Sequence, residues 1–145
     1  MAYSSDVDLI NVKRDILSLG VGSWLEQHDE AQLLIDRDLE VSWFLGAAKE
    51  RQTSDTITYQ FNSALLEPTQ LKRLSIYKTL ELAYLFLAHE YESDPFRIEV
   101  DTFKQRYNDE LLSLLAVGVK YDWNEDATYS VSETQRRSPR LLRRI

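Results

Sequence analysis

The sequence predicts a mainly α protein: a small antiparallel helical bundle with a short carboxyl-terminal β-hairpin or flap and an extended carboxyl-terminal arm. Three observations carry this. Apolar residues recur at spacings of three and four along two long stretches, 68–91 and 95–117. Strand-type residues cluster after Gly118, around an acidic turn. The last ten residues, RRSPRLLRRI, are basic, broken by Pro139 and without a stripe that could join a core. The bundle and hairpin are expected over 1–135, the arm over 136–145.

Residues 1–22 are weakly patterned. Val7, Leu9, Ile10, Ile16 and Leu17 suit one short helix, moderately anchored. Gly20 and Gly22 then break the chain, and the following turn leads into Trp24 and Leu25. Asp29 suits an N-cap for a helix running to about Arg51. Its apolar face would be Ala31, Leu34, Ile35, Val41, Leu45 and Ala48. Gly46 costs roughly 1 kcal/mol against alanine inside a helix, which points to a close helix crossing. Trp43 and Phe44 are neighbours, so an α-helix sends them to different faces and leaves one as an exposed anchor.

Residues 53–67 are the least helical. Ile57, Tyr59 and Phe61 alternate with polar residues, which suits either a short extended arm of about five residues, fitted for contacts between subunits, or an irregular loop folded on the core. The central helix follows, with Pro68 in its first turn and Leu71, Leu74, Ile76, Tyr77, Leu80, Ala83, Tyr84, Leu87 and Tyr91 on one broad face. From Leu82 to Ala88 seven apolar residues run without a break, so that half is expected to be covered on every side. Seven are too few for a bilayer, which needs about 20. Asp94 and Pro95 start the last helix, whose stripe is Phe96, Val100, Phe103, Tyr107, Leu111 and Leu114, and Gly118 stops it. Val119, Tyr121, Tyr129 and Val131 then read as hairpin strands on either side of a turn at 122–126.

The charge is polarised. Five of the 17 lysines and arginines lie in the last ten residues, which hold no acid. The first 135 residues thus set 12 bases against 24 acids. Such a body repels nucleic acid, whereas the arm seeks an acidic surface. The chain has no cysteine, which excludes disulfides and thiolate chemistry. The amino end has no apolar signal core, so export is not expected.

The oxygens of Asp122, Asn124, Asp126, Thr128, Ser130 and Glu133 fall at positions 1, 3, 5, 7, 9 and 12 of a calcium-loop template. Ala127 stands where that loop has glycine, and no helix is expected beyond it, so the reading is a plain acidic turn and no metal is assigned. His28 and His89 have no metal-ligand spacing, and His89 suits the carboxyl end of the central helix. No nucleophile elbow, phosphate loop or dinucleotide glycine pattern is present. No catalytic residue and no cofactor are therefore expected. The arm has three chemistries open to it: phosphate contact, a membrane surface, or a groove on a protein. Leu141, Leu142 and Ile145 favour the groove, because phosphate binding alone needs no apolar terminus.

Three stretches in order, WLEQHDEAQLLIDRDLEVSWFL, LKRLSIYKTLELAYLFLA and FKQRYNDELLSLLAVGVKYDWNEDAT, followed by the arginine-rich end, resemble the head-to-tail connector (adaptor, or head-completion) proteins of tailed bacteriophages. The likeness spans residues 24–145, and its most telling part is the glycine–tyrosine–aspartate turn from Gly118 to Thr128. The resemblance implies a structural subunit of the virion neck, assembled in the host cytoplasm. It implies a ring, usually dodecameric, beneath the portal protein, with a tail-side connector or tail terminator below. Genomic DNA would pass through its channel without specific binding. The carboxyl arm would grip the portal, through Arg136, Arg137, Arg140, Leu141, Leu142, Arg143, Arg144 and Ile145. The alternative is a helical regulatory module whose basic tail binds nucleic acid.

Overall fold

A computed structural model describes residues 2–52, 59–88, 95–129 and 133–136. It is mainly helical, with a two-stranded antiparallel sheet near the carboxyl end. The helices are α1 (Asp6–Val12), α2 (Leu25–Leu39), α3 (Leu45–Gln52), α4 (Lys72–Leu87) and α5 (Pro95–Val117), and the strands are β1 (Val119–Lys120) and β2 (Thr134–Gln135). Two compact units are formed, each from two separate stretches: Met1–Ile35 with Leu71–Leu111, and Asp36–Gln70 with Leu112–Ile145.

The core of the first unit joins Leu9, Ile16, Trp24, Leu80, Ala83, Tyr84 and Phe103. Residues 1–22, expected to be only moderately anchored, thus supply two fully buried side chains, Leu9 and Ile16. The reason is local chemistry. Asp8 accepts the backbone N–H of Ser5 (2.9 Å) and so fixes the start of α1. A single 3-10 turn at Ile16–Ser18 then points Ile16 inward, and the Trp24 indole N–H donates to the Ile16 carbonyl (3.1 Å). Tyr84 stacks on Phe103 (5.9 Å between centroids, 4° between planes) and on Phe96 (5.9 Å, 27°). Burial first, then the charges of Asp15 and Glu99, push the Tyr84 hydroxyl up to about 12.

The central helix is shorter and less enclosed than its apolar run implies. Pro68–Leu71 form a 3-10 turn before α4, and α4 ends at Leu87. Leu85 and Phe86 are 51% and 67% exposed. At 3.6 residues per turn the core-facing stripe through Leu80, Ala83 and Tyr84 occupies one side, and adjacent residues turn away from it. The predicted continuation through His89 and Tyr91 lies outside the described residues, as does Asp94. Of the predicted stripe of the last helix, Phe103 and Tyr107 are buried and Phe96, Val100, Leu111 and Leu114 half-buried, while Leu115, outside the stripe, is buried. Gly118 closes it at φ +119, with its N–H on the Leu114 carbonyl (2.9 Å).

Two features of the second helix differ from the expectation. It begins at Leu25, because the Trp24 carbonyl already accepts the His28 N–H (2.9 Å), so Asp29 lies inside the helix and is not its cap. It also contains a π turn, Glu40–Phe44, closed by the Leu45 N–H on the Glu40 carbonyl. A turn closing five residues on takes in an extra residue and shifts the phase of everything after it. Trp43, Phe44 and Ala47 are buried as a result; of the predicted face Ala48 is buried too, whereas Val41 and Leu45 are 58% and 52% exposed. Trp43 and Phe44 both face inward, and neither is the exposed anchor.

Candidate functional site: the hairpin, its acidic loop and an aromatic cavity

The second unit is organised by aromatic rings, not by a helical stripe. Trp123 lies at the centre. It stacks on Phe44 (5.6 Å, 10°), meets Tyr121 (4.6 Å) and Trp43 (5.8 Å), and takes the edge of Tyr59 (5.0 Å). The Arg51 guanidinium stands 4.4 Å from the Trp123 ring, a cation–π distance. Phe61 packs against Phe44 (5.2 Å) and Tyr121 (6.3 Å). Tyr59 and Phe61, both half-buried, therefore pack within this unit, and no strand forms at 59–61; Ile57 lies outside the described residues. The alternating arm expected there is not seen, because its aromatic members find partners within the unit.

A cavity of about 800 Å³ opens beside these rings. Tyr59, Phe61, Leu65, Tyr121 and Trp123 give it an apolar floor, and Asn62, Asn124 and Glu125 bring polar groups to it. The Tyr121 hydroxyl accepts the Asn62 N–H (3.0 Å) and lies 3.5 Å from the Gln60 carbonyl. Burial raises the Tyr121 hydroxyl above its ordinary value, and the Glu125 charge adds to this against the Asn62 bond. The Trp123 indole N–H is buried and has no acceptor, unlike any other buried side-chain polar atom among the described residues.

The hairpin is held by side chains as much as by its ladder. Val119 pairs with Gln135 and Lys120 with Thr134, and Tyr121 bridges Leu66. Gln70 acts as a third strand: its Nε2 donates to the Lys120 carbonyl (2.8 Å) and its Oε1 accepts the Lys120 N–H (2.9 Å). Gln135 is fixed from three sides. Its carbonyl accepts the Trp43 indole N–H (2.8 Å), its Oε1 accepts from Arg51 Nε (3.1 Å), and its Nε2 donates to Glu50 (2.9 Å). Among the described residues the ladder covers 119–120 and 134–135, with the single bridge from Tyr121 to Leu66 beside it. Tyr129, expected in a strand, is in none, and Val131 lies outside the described residues.

Between the strands the acidic loop closes on itself. Asp122 accepts the N–H groups of Asp126 (3.1 Å) and Ala127 (2.8 Å), and Asp126 accepts both the N–H and the hydroxyl of Thr128 (2.9 and 2.8 Å). The bonds from Thr128 hold the Asp126 carboxyl below its ordinary value. Glu125 and Ala127 take positive φ, 57° and 63°. Ala127 thus adopts the left-handed turn without glycine, which removes one argument against a calcium-type loop. Oxygens of Asp122, Asp126 and Glu133 lie within 4.8 Å of one another, and Asp122 and Glu133 are buried. A hard cation is coordinated by sets of this kind. Ser130, the ninth template position, lies outside the described residues.

A polar network that the sequence reading passed over lies in the first unit. His28 is 2% exposed. Its Nε2 meets Asp6 (3.1 Å) and its Nδ1 meets Ser4 (2.9 Å), whose hydroxyl reaches Ser75 (2.7 Å). Asp6 also accepts from the Ser23 hydroxyl (3.1 Å) and the Trp24 N–H (3.2 Å). The network ties the amino-terminal segment to α2 and α4. The signal available was a lone histidine on an apolar face, which spacing alone does not pair with Asp6. His89 lies outside the described residues.

Of the arm residues, Arg136 is described and exposed, directly after β2. Arg137, Arg140, Leu141, Leu142, Arg143, Arg144 and Ile145 lie outside the described residues. No helix among the described residues is long and apolar enough to cross a membrane. Comparison with protein-family models, with curated proteins and with solved structures finds no match for this chain.

Proposed function

We propose that this protein is a structural head-to-tail adaptor of a tailed bacteriophage. It forms a ring beneath the portal, dodecameric by the family resemblance, and joins the capsid to a tail-side connector or terminator. It carries no catalytic role and needs no cofactor. The observation that carries this reading is the anchoring of Gln135. Trp43, Arg51 and Glu50 hold that residue on three sides, so the arginine-rich end starts from a fixed point on a folded body. A docking arm needs such a base, because a partner then orders only the arm and not its attachment. Charge supports the same reading. A body of 12 bases and 24 acids lets DNA slide past without sticking, while the arm carries the opposite sign.

Imaging of the purified chain, alone and mixed with a portal ring, tests this. Closed rings seated on the portal are expected. Chains that never associate with a portal, but bind duplex DNA with an affinity that collapses as salt is raised, would put the nucleic-acid module in its place.

A further inference from the structure

The aromatic cavity and the arm belong to one unit and have complementary chemistry. The cavity offers Tyr59, Phe61, Leu65 and Tyr121, with Glu125 among its lining residues and Asp126 next in the chain. Over residues 36–70 and 112–135 this unit has ten acidic and four basic side chains. The arm has five arginines, and Leu141, Leu142 and Ile145 stand among them.

The starting point of the arm favours an intramolecular fit. Gln135 accepts from the Trp43 indole, and the Trp43 ring is 5.7 Å from Tyr121 and 5.8 Å from Trp123, both of which line the cavity. One ring therefore separates the base of the arm from the cavity wall. Five residues carry the chain from Arg136 to Leu141, a reach of about 17 Å when extended. A tether of this length gives an effective concentration on the order of millimolar, which a second copy does not match in dilute solution.

We infer that the chain's own carboxyl-terminal segment, residues 137–145, docks its apolar terminus in this cavity and sets its arginines against Glu125 and Asp126. The arm is thereby held on its own subunit until a partner takes it. Its release to a portal rests on the function proposed above; its resting place does not.

The test uses the full chain without any portal. The protein has no cysteine, so Arg144→Cys gives a single position for a nitroxide. In the isotope-labelled chain the amide signals of Phe61, Asn62 and Glu125 should lose most of their intensity and regain it on reduction of the nitroxide. Leu141→Ser, Leu142→Ser and Ile145→Ser together, in the same labelled chain, should restore those signals while the rest of the spectrum stays unchanged. Absence of any loss overturns the inference. So does a loss that survives the triple substitution, which would be charge attraction without docking. A loss in mixtures of an isotope-labelled chain with a separate nitroxide-bearing chain would assign the cavity to a second copy and also overturn it.

Discussion

The two units reach burial by different routes. The first is held by helices whose stripes meet: Leu80, Ala83 and Tyr84 of α4 with Phe103 of α5, joined by Leu9, Ile16 and Trp24. The second contains α3, the π turn and the β1–β2 hairpin, but it is held by rings brought together from separate segments: Trp43 and Phe44, Tyr59 and Phe61, Tyr121 and Trp123. The contrast shows how much of a core can be made without periodicity, provided large flat side chains replace a stripe. It also places the candidate site. The cavity lies beside these rings, which meet at angles.

Substitutions should separate the two routes. The largest effect is expected in the aromatic unit. Trp43→Ala removes a fully buried ring that also donates to Gln135, and should cost about 3–5 kcal/mol. In the helical unit Leu80→Ala should cost about 2–5 kcal/mol, while Leu87→Ala, only half-buried, should cost clearly less. Denaturant unfolding measures all three. Equal losses at Leu80 and Leu87 would contradict the position of α4. A near-zero effect at Trp43 would mean that the rings do not act as a core.

A smaller effect is expected from the buried network. His28→Ala leaves Asp6 and Ser4 each without one partner, and should cost about 1–3 kcal/mol. Tryptophan fluorescence follows it through Trp24, whose N–H shares the Asp6 carboxylate. An unchanged melting curve would show that water replaces the imidazole at no cost.

The smallest is an acid-limb effect at Asp8. Burial pushes its carboxyl up, but the Ser5 N–H and hydroxyl together with the Lys72 ammonium outweigh this and hold it below the ordinary 3.8. A depressed folded value means that the contribution is complete above 3.8 and is lost as pH falls through the lower folded value. Asp8→Asn should therefore lower the melting temperature slightly near neutrality and flatten its fall in acid. A variant with the same acid slope as the parent would remove Asp8 from the account.

The helical unit was the more legible in sequence. The burial of Phe103 and Tyr107 and the Gly118 stop are local signals, and they appear in the fold at the predicted places, while Leu115 is buried beside the half-buried Leu114. The π turn was not legible. Its effect, burying Trp43 and Phe44 together, depends on what the rings meet at Tyr121 and Trp123, nearly eighty residues further on. The same holds for Tyr59 and Phe61, whose alternation suggested an extended arm but whose partners were waiting in the hairpin. Of the candidate site, the acidic loop was visible as spaced oxygens, because its ligand-type residues are adjacent in sequence. The cavity was not visible, since no local pattern brings 59–65 against 121–125. The His28 network failed for a like reason: hydroxyls and a carboxylate at 4, 6, 75 and 79 converge only once α1, α2 and α4 have packed.

In the proposed function the arm is a docking element carried by a body that folds without it. Deleting residues 136–145 tests this most directly, because one protein yields two readings, its melting temperature and its assembly on a portal ring. Gln135 keeps its bonds to Trp43, Arg51 and Glu50 in the shortened chain, so it should still fold cooperatively, its melting temperature lowered only by the small contribution of the docked terminus. Assembly on the portal should be lost, and replacing only the five arginines with lysine should weaken it less than deletion, since charge and leucines remain. A shortened chain that folds and still assembles on the portal as the intact protein does would contradict the arm's role.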